Sequence, residues 1–173
     1  MKHRKNIPGA SARGAAAEPQ GAPRRRPDWV FALFIAGACL AAFYPALHND
    51  FVSWDDKAYF LSNPDYRGLG LKQLRWMFTT FLMGNYQPLT WLTLGLDHLL
   101  WGLDPFGYHL TNLLLHAAGA VAFYFAAAKL LRLALPELRA GGQWPAACGA
   151  LFAALLFAVH PLRVESVAWA SER

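Results

Sequence analysis

The chain has 173 residues, of which 55% are hydrophobic, 14% aromatic and only 16% charged, with a formal net charge of +5. Its apolar residues gather after residue 28, which makes that part too apolar for an ordinary soluble domain and excludes intrinsic disorder there. The two cysteines, Cys39 and Cys148, exclude a disulfide-stapled fold; both lie inside apolar runs and read as small buried hydrophobes.

Residues 1–28 carry seven Lys/Arg against two acids, Glu18 and Asp28, among many Ala, Gly and Pro. Such a segment cannot bury a core, so a disordered basic tail is expected. Its basic clusters directly precede an apolar run, which favours a cytoplasmic anchor drawn to anionic lipid over a nucleic-acid arm. Trp29 to Leu47 then gives nineteen residues without a charge or amide, enough to cross the hydrocarbon core. Signal-peptide h-regions are shorter, and no small-x-small site follows Tyr44-Pro45, so this helix is read as retained.

Two further spans are expected, at about 110–131 and 144–162, each sufficient if slightly tilted. The segment 48–109 holds four Lys/Arg and six Asp, whereas Lys129, Arg132 and Arg139 near the 132–143 loop oppose only Glu137. Positive charge therefore assigns the tail and that loop to the cytoplasm and 48–109 to the outside. Within the external loop, two surface helices are expected. Leu71, Leu74, Phe78, Phe81 and Leu82 repeat at helical spacing, with Trp76 suited to the headgroup level. Pro88 to Leu103 is apolar apart from Asp97 and His98; a central Asp costs about 3 kcal/mol to insert, so this stretch reads as a helix at the outer surface or packed on the bundle, with both residues interfacial.

Candidate chemistry lies in two clusters. Phe51-Val52-Ser53-Trp54-Asp55-Asp56 puts adjacent carboxylates just outside a membrane helix, where they can act as base, bind a metal or stay solvated. Adjacent side chains diverge by about 100° on a helix, so one is expected to do chemistry while the other orients. The Trp54 indole beside them suits a sugar ring. His160-Pro161-Leu162-Arg163-Val164-Glu165, followed by Trp169, emerges at the same membrane side; there Arg163 suits a phosphate, and His160 or Glu165 a substrate or metal. No close histidine pairing supports zinc. His109, Asn112 and His116 recur at i, i+3, i+7, a polar stripe expected to make interhelical hydrogen bonds. No glycine-rich phosphate loop, serine elbow or haem spacing occurs.

These motifs, together with Asn63-Pro64, Trp76-Met77-Phe78-Thr79-Thr80, Gln87-Pro88-Leu89-Thr90-Trp91-Leu92, Gly102-Leu103-Asp104-Pro105, His109 to His116 and His160 to Trp169, occur in an order that closely resembles the transmembrane and tetratricopeptide-repeat-containing proteins. That family is related to protein O-mannosyltransferases, and the resemblance covers about residues 29–173. It implies an all-α membrane protein of the type-C glycosyltransferase fold, here truncated to three transmembrane helices plus two surface helices. It also implies an extracytoplasmic site that takes a sugar, commonly mannose, from a polyprenyl-phosphate donor to a protein hydroxyl.

On that resemblance the acidic motif falls on Asp55 and Asp56, and the second motif on His160, Arg163 and Glu165. A carboxylate at a partly desolvated surface is a better base, a cation such as Arg163 steadies the departing phosphate, and direct displacement inverts the anomeric centre. Asp55 is the expected base, with Asp56 or Glu165 positioning donor or acceptor, and Trp54 holding the sugar. No cofactor is assigned, and a divalent metal is an option. The expected partners are membrane lipid, the lipid-linked sugar and a protein acceptor, without nucleic acid. A bacterial inner membrane is favoured over the endoplasmic reticulum. Because the chain stops at Ser171-Glu172-Arg173 without visible 34-residue repeats, a fragment inactive by itself is expected. The alternative is a non-catalytic membrane scaffold whose Asp55 and Glu165 face bulk water, far apart.

Overall fold

The structure is a computed structural model that describes residues 28–135 and 144–173. The expected basic tail and most of the 132–143 loop therefore lie outside the described residues. Every regular element among the described residues is helical, apart from one isolated bridge between Leu82 and Asn85. In chain order the α-helices are α1 (Asp28–Phe43), α2 (Leu71–Thr79), α3 (Pro88–Trp101), α4 (Pro105–Ala134), α5 (Trp144–Val159) and α6 (Val164–Ala168).

Proline and capping residues set the boundaries of the long helices. Pro45 cannot donate to the ladder, and α1 continues as a 3-10 helix, Tyr44–His48, giving an apolar stretch of 21 residues. α4 starts earlier than expected, because Asp104 accepts from the Phe106 backbone N–H at 3.0 Å and Pro105 occupies the first turn. Its 30 residues make a rod of about 45 Å, longer than the hydrocarbon core, so one end projects beyond it. α5 stops at Val159, short of the expected Leu162. Pro161 biases the preceding residue away from helix, and His160 is extended (φ −63, ψ 134). The chain bends there by 53° into a 3-10 turn, Pro161–Arg163, and then α6. Two helices are long and apolar enough to cross a membrane, and a third if α5 and its bent continuation form one span.

α1, α4 and α5 pack as an antiparallel bundle. Tyr124 donates to Asp28 Oδ1 at 3.0 Å at one end, while Phe43 packs edge-on against His116 at the other. Ala146, Ala150, Ala154 and Ala158, all fully buried, recur every fourth residue on α5 and let its backbone approach α4 at Ala117, Ala120 and Ala128. The outward faces stay apolar: Leu33, Phe34, Leu130 and Phe152 are each more than half exposed. This inside-out pattern fits a lipid solvent, and the fold is that of an all-α membrane protein. Cys39 is buried as expected, whereas Cys148 faces outward, because the alanine stripe occupies the inner face of α5.

The segment between α1 and α4 has its own aromatic core of Tyr59, Phe60, Tyr66, Met77, Trp91, Leu94 and Tyr108. Trp91 is its centre, stacked on Tyr59 at 4.9 Å and met edge-on by Trp76 at 5.0 Å. Each such pair adds about 0.5–1.5 kcal/mol beyond area burial. Trp76, half-buried, thus packs on this core. The buried face of α2 also differs from the expected stripe. Leu74 and Met77 pack inward, while Leu71, Phe78 and Phe81 are 88%, 49% and 70% exposed. The helix rolls because Met77 slots beside Gly95, where a Cβ would lie 2.7 Å from its Cε and 2.8 Å from the Gly68 carbonyl.

Candidate functional site

The antiparallel bundle brings the end of α1, the start of α4 and the end of α5 to one end of the molecule, where the loop core also sits. Asp55 and Asp56 open a helical turn that passes into a π-helical turn, Lys57–Leu61, a local irregularity common near functional sites. Asp56 is 1% exposed. Its Oδ2 accepts from the Val52 backbone N–H at 2.9 Å, and its Oδ1 has no hydrogen-bond partner among the described residues. It lines a cavity of about 420 Å³ with His48, Asn49, Asp50, His109 and Trp169 among its walls. Asp55 is half-buried and is not among those walls.

Next to this polar cavity lies an apolar cleft of about 360 Å³, lined by Val52, Trp54, Val164, Glu165, Ala168 and Trp169. Val52, Ala168 and Trp169 belong to both. Trp54 is exposed, with its ring 6.1 Å from that of Trp169, and Glu165 is exposed at the cleft. Trp54 and Asp56 of the first loop and Glu165, more than a hundred residues further on, therefore gather around one indole. His160 and Arg163 do not join them. They line a separate cleft with Leu156, Phe157 and Leu162, where the Arg163 guanidinium sits 4.3 Å over the Phe157 ring. His160 Nδ1 accepts from the Leu162 backbone N–H at 3.2 Å, capping the 3-10 turn that follows the bend.

A buried polar network fixes Trp169 in place. Asn112 Nδ2 donates to the Trp169 carbonyl at 2.8 Å, and Asn112 Oδ1 accepts from Arg173 at 2.6 Å. Arg173 pairs with Asp97 and donates to the Tyr108 carbonyl at 3.0 Å, while Thr111 donates to Asp97 at 2.6 Å. The Asp97 and Arg173 side chains are only 2% and 4% exposed. Asp97 is thus not an interfacial residue. The Arg173 cation draws it inside, which the sequence of α3 alone does not reveal. Burial pushes the Asp97 carboxyl above the usual carboxylate range, with Arg173 opposing, and the same burial lowers Arg173.

The i, i+3, i+7 stripe divides. Asn112 makes the expected bonds between elements, and His116 pairs with the Ala158 carbonyl at 2.8 Å. His109, 2% exposed, has neither ring nitrogen in a hydrogen bond of ordinary geometry, and the Asn49 backbone lies close without completing one. Sequence reasoning missed His109 and Trp169 as cavity walls; the signal available was the inward phase of the stripe and the indole that closes the His160 motif. Among the described residues, no three His, Cys, Asp or Glu side chains gather closely enough to hold a metal. What the site offers is a buried carboxylate, able to accept a proton, that lines one cavity with an imidazole and an indole.

Fold and site together define a helical membrane protein whose first loop and α6 wall two adjoining recesses. The chain is 31% identical over 167 residues to human protein O-mannosyl-transferase TMTC1, a match covering 90% of this chain and 16% of the relative. It is 32% identical over 143 residues to human protein O-mannosyl-transferase TMTC3 (77% and 14%). Over 94 residues it is 39% identical to protein O-mannosyl-transferase Tmtc3 of Drosophila melanogaster (48% and 10%). The chain belongs to this TMTC-related family, and it spans about 10–16% of the length of these relatives. No family model and no solved structure matches it. The relatives are animal proteins, which gives the expected bacterial inner membrane no support.

Proposed function

We propose that this chain supplies the first loop and the third-span end of a membrane glycosyltransferase that moves mannose from a polyprenyl-phosphate donor to a protein hydroxyl. The observation that carries the reading is the convergence of Trp54, Asp56 and Glu165 on Trp169, at two adjoining recesses of opposite character. Asp56, rather than Asp55, is the base, because Asp56 lines the cavity and its Oδ1 has no hydrogen-bond partner among the described residues. An acceptor hydroxyl placed there loses its proton to Asp56 as its oxygen attacks the anomeric carbon and the lipid phosphate departs. Attack opposite the leaving group inverts the centre. Trp54 offers the sugar an aromatic face, and Glu165 orients the acceptor at the cleft. Arg163 and His160 serve the donor phosphate, a role that requires the lipid-linked donor to lie along the outer end of α5.

A scaffold is the weaker reading: Glu165 is exposed and Asp55 half-buried, but the scaffold also needs no recess between the first loop and the end of the third span, and a cleft of about 360 Å³ lies there. The test uses the full-length protein in lipid vesicles, supplied with polyprenyl-phosphate mannose carrying a radiolabel and a Ser/Thr peptide. Labelled peptide of inverted anomeric configuration is the expected product. Peptide no more labelled than with protein-free vesicles, or a product that retains configuration, would sink the proposal.

A further inference from the structure

His109 and Trp169 line the same cavity as Asp56; Asp56 Oδ1 and Trp169 Nε1 are buried without hydrogen-bond partners among the described residues, and the His109 ring has only the Asn49 backbone close by. Each such group costs about 1–3 kcal/mol when left unpaired, and native proteins keep few of them. His116, two turns along the same helix, shows what a structural histidine does, bonding the Ala158 carbonyl. The Trp169 backbone, likewise, is held by Asn112 while its indole N–H stays free.

We propose that Asp56, His109 and Trp169 form a subsite for a hydroxyl-bearing ligand, either the diol of a hexose or a side-chain alcohol. The subsite stands on the cavity, and rests on the glycosyltransferase reading only for the source of the ligand. The donor and acceptor inventory is complementary. A carboxylate accepts, the indole N–H only donates, and a neutral imidazole does one at each nitrogen. A vicinal diol supplies two donors and several acceptors, the complement of these three side chains. The cavity, about 420 Å³, lies in the range that holds small ligands and far exceeds the roughly 30 Å³ share of one water. The Trp169 ring adds an apolar face for the carbon side of a sugar. His109 becomes a substrate-contacting residue in this account, and Asn112 with Arg173 position the indole.

The experiment uses the 173-residue chain in lipid nanodiscs, labelled with nitrogen-15 at histidine. Side-chain spectra are titrated separately with methyl α-mannopyranoside and with N-acetyl-threonine amide. The His109 resonance, assigned by its loss in His109→Gln, is expected to move to saturation while that of His116 stays. Asp56→Asn is expected to weaken the apparent affinity at least about tenfold. A response to the glycoside names the sugar as occupant, and a response to the threonine derivative names the acceptor. Movement with neither, or an unchanged affinity in Asp56→Asn, overturns the subsite. As a second readout, His109→Leu should leave the Tm unchanged or raise it; a fall would mark His109 as structural and overturn the proposal. Absent binding with intact sugar transfer by the full-length protein sinks the subsite alone, whereas intact binding with absent transfer sinks the catalytic reading alone.

Discussion

Arg173→Ala is expected to destabilise the outer segment by about 3–5 kcal/mol, the typical cost of leaving one member of a buried ion pair alone. Three groups lose their donor at once: the Asp97 carboxylate, Asn112 Oδ1 and the Tyr108 carbonyl. Asp97→Ala should cost a similar amount, by stranding the guanidinium. The double replacement Asp97→Leu with Arg173→Met should be near neutral or stabilising, because desolvation of the pair offsets its attraction. The direction of the Asp97 shift says the same. Its folded carboxyl titrates above the unfolded value, so its contribution to stability is present below that value and is lost as pH rises through the folded one. Mild acidification through that window should therefore stabilise the native chain but not the double variant. Thermal unfolding in bicelles, with hydrogen exchange of the Trp169–Arg173 backbone, reads both effects. Equal losses in the single and double variants would refute this account of the pair.

Asp56→Asn in the full-length protein is expected to lower sugar transfer by about 10²–10⁴-fold, the range for losing a positioned general base. Membrane insertion should be unaffected, since the asparagine carbonyl can still accept from the Val52 N–H that Asp56 holds. Asp55→Asn should retain most activity, because Asp55 does not line the cavity. The contrast between neighbours is the informative part. A general effect of charge on the loop would hit both equally, and an inactive Asp55→Asn beside an active Asp56→Asn would reverse the assignment. Initial rates at saturating donor, with matched protein levels, decide it.

The spans were legible because a lipid solvent demands long uncharged stretches, and Trp29–Leu47 has few other readings. The boundaries were less so. Asp104 and Pro105 announce the start of α4 by their chemistry, and Pro161 announces the stop of α5, yet both helices were placed by hydropathy, which is blind to caps. The loop core was harder still. The roll of α2 depends on Met77 finding Gly95, a contact between elements that no periodicity encodes. Asp97 illustrates the same limit, since a carboxylate in an apolar helix reads as surface-bound until its cation, at the far end of the chain, is placed beside it. Trp54 and Glu165 meeting at Trp169 followed from both motifs emerging at one end of an antiparallel bundle. The separation of His160 and Arg163 from them did not follow, because the 53° bend redirects α6 relative to α5.

The central claim is that the Trp54–Asp56 segment and the Glu165 segment meet across two adjoining recesses at one face of the membrane. Cysteines at Trp54 and Glu165, in a background with Cys39 and Cys148 replaced, test it directly in sealed vesicles. Both sites should react with an impermeant thiol reagent from the same side, and a short bifunctional reagent should join them. Labelling from opposite sides, or same-side labelling with no cross-link at any reagent length, would contradict the account.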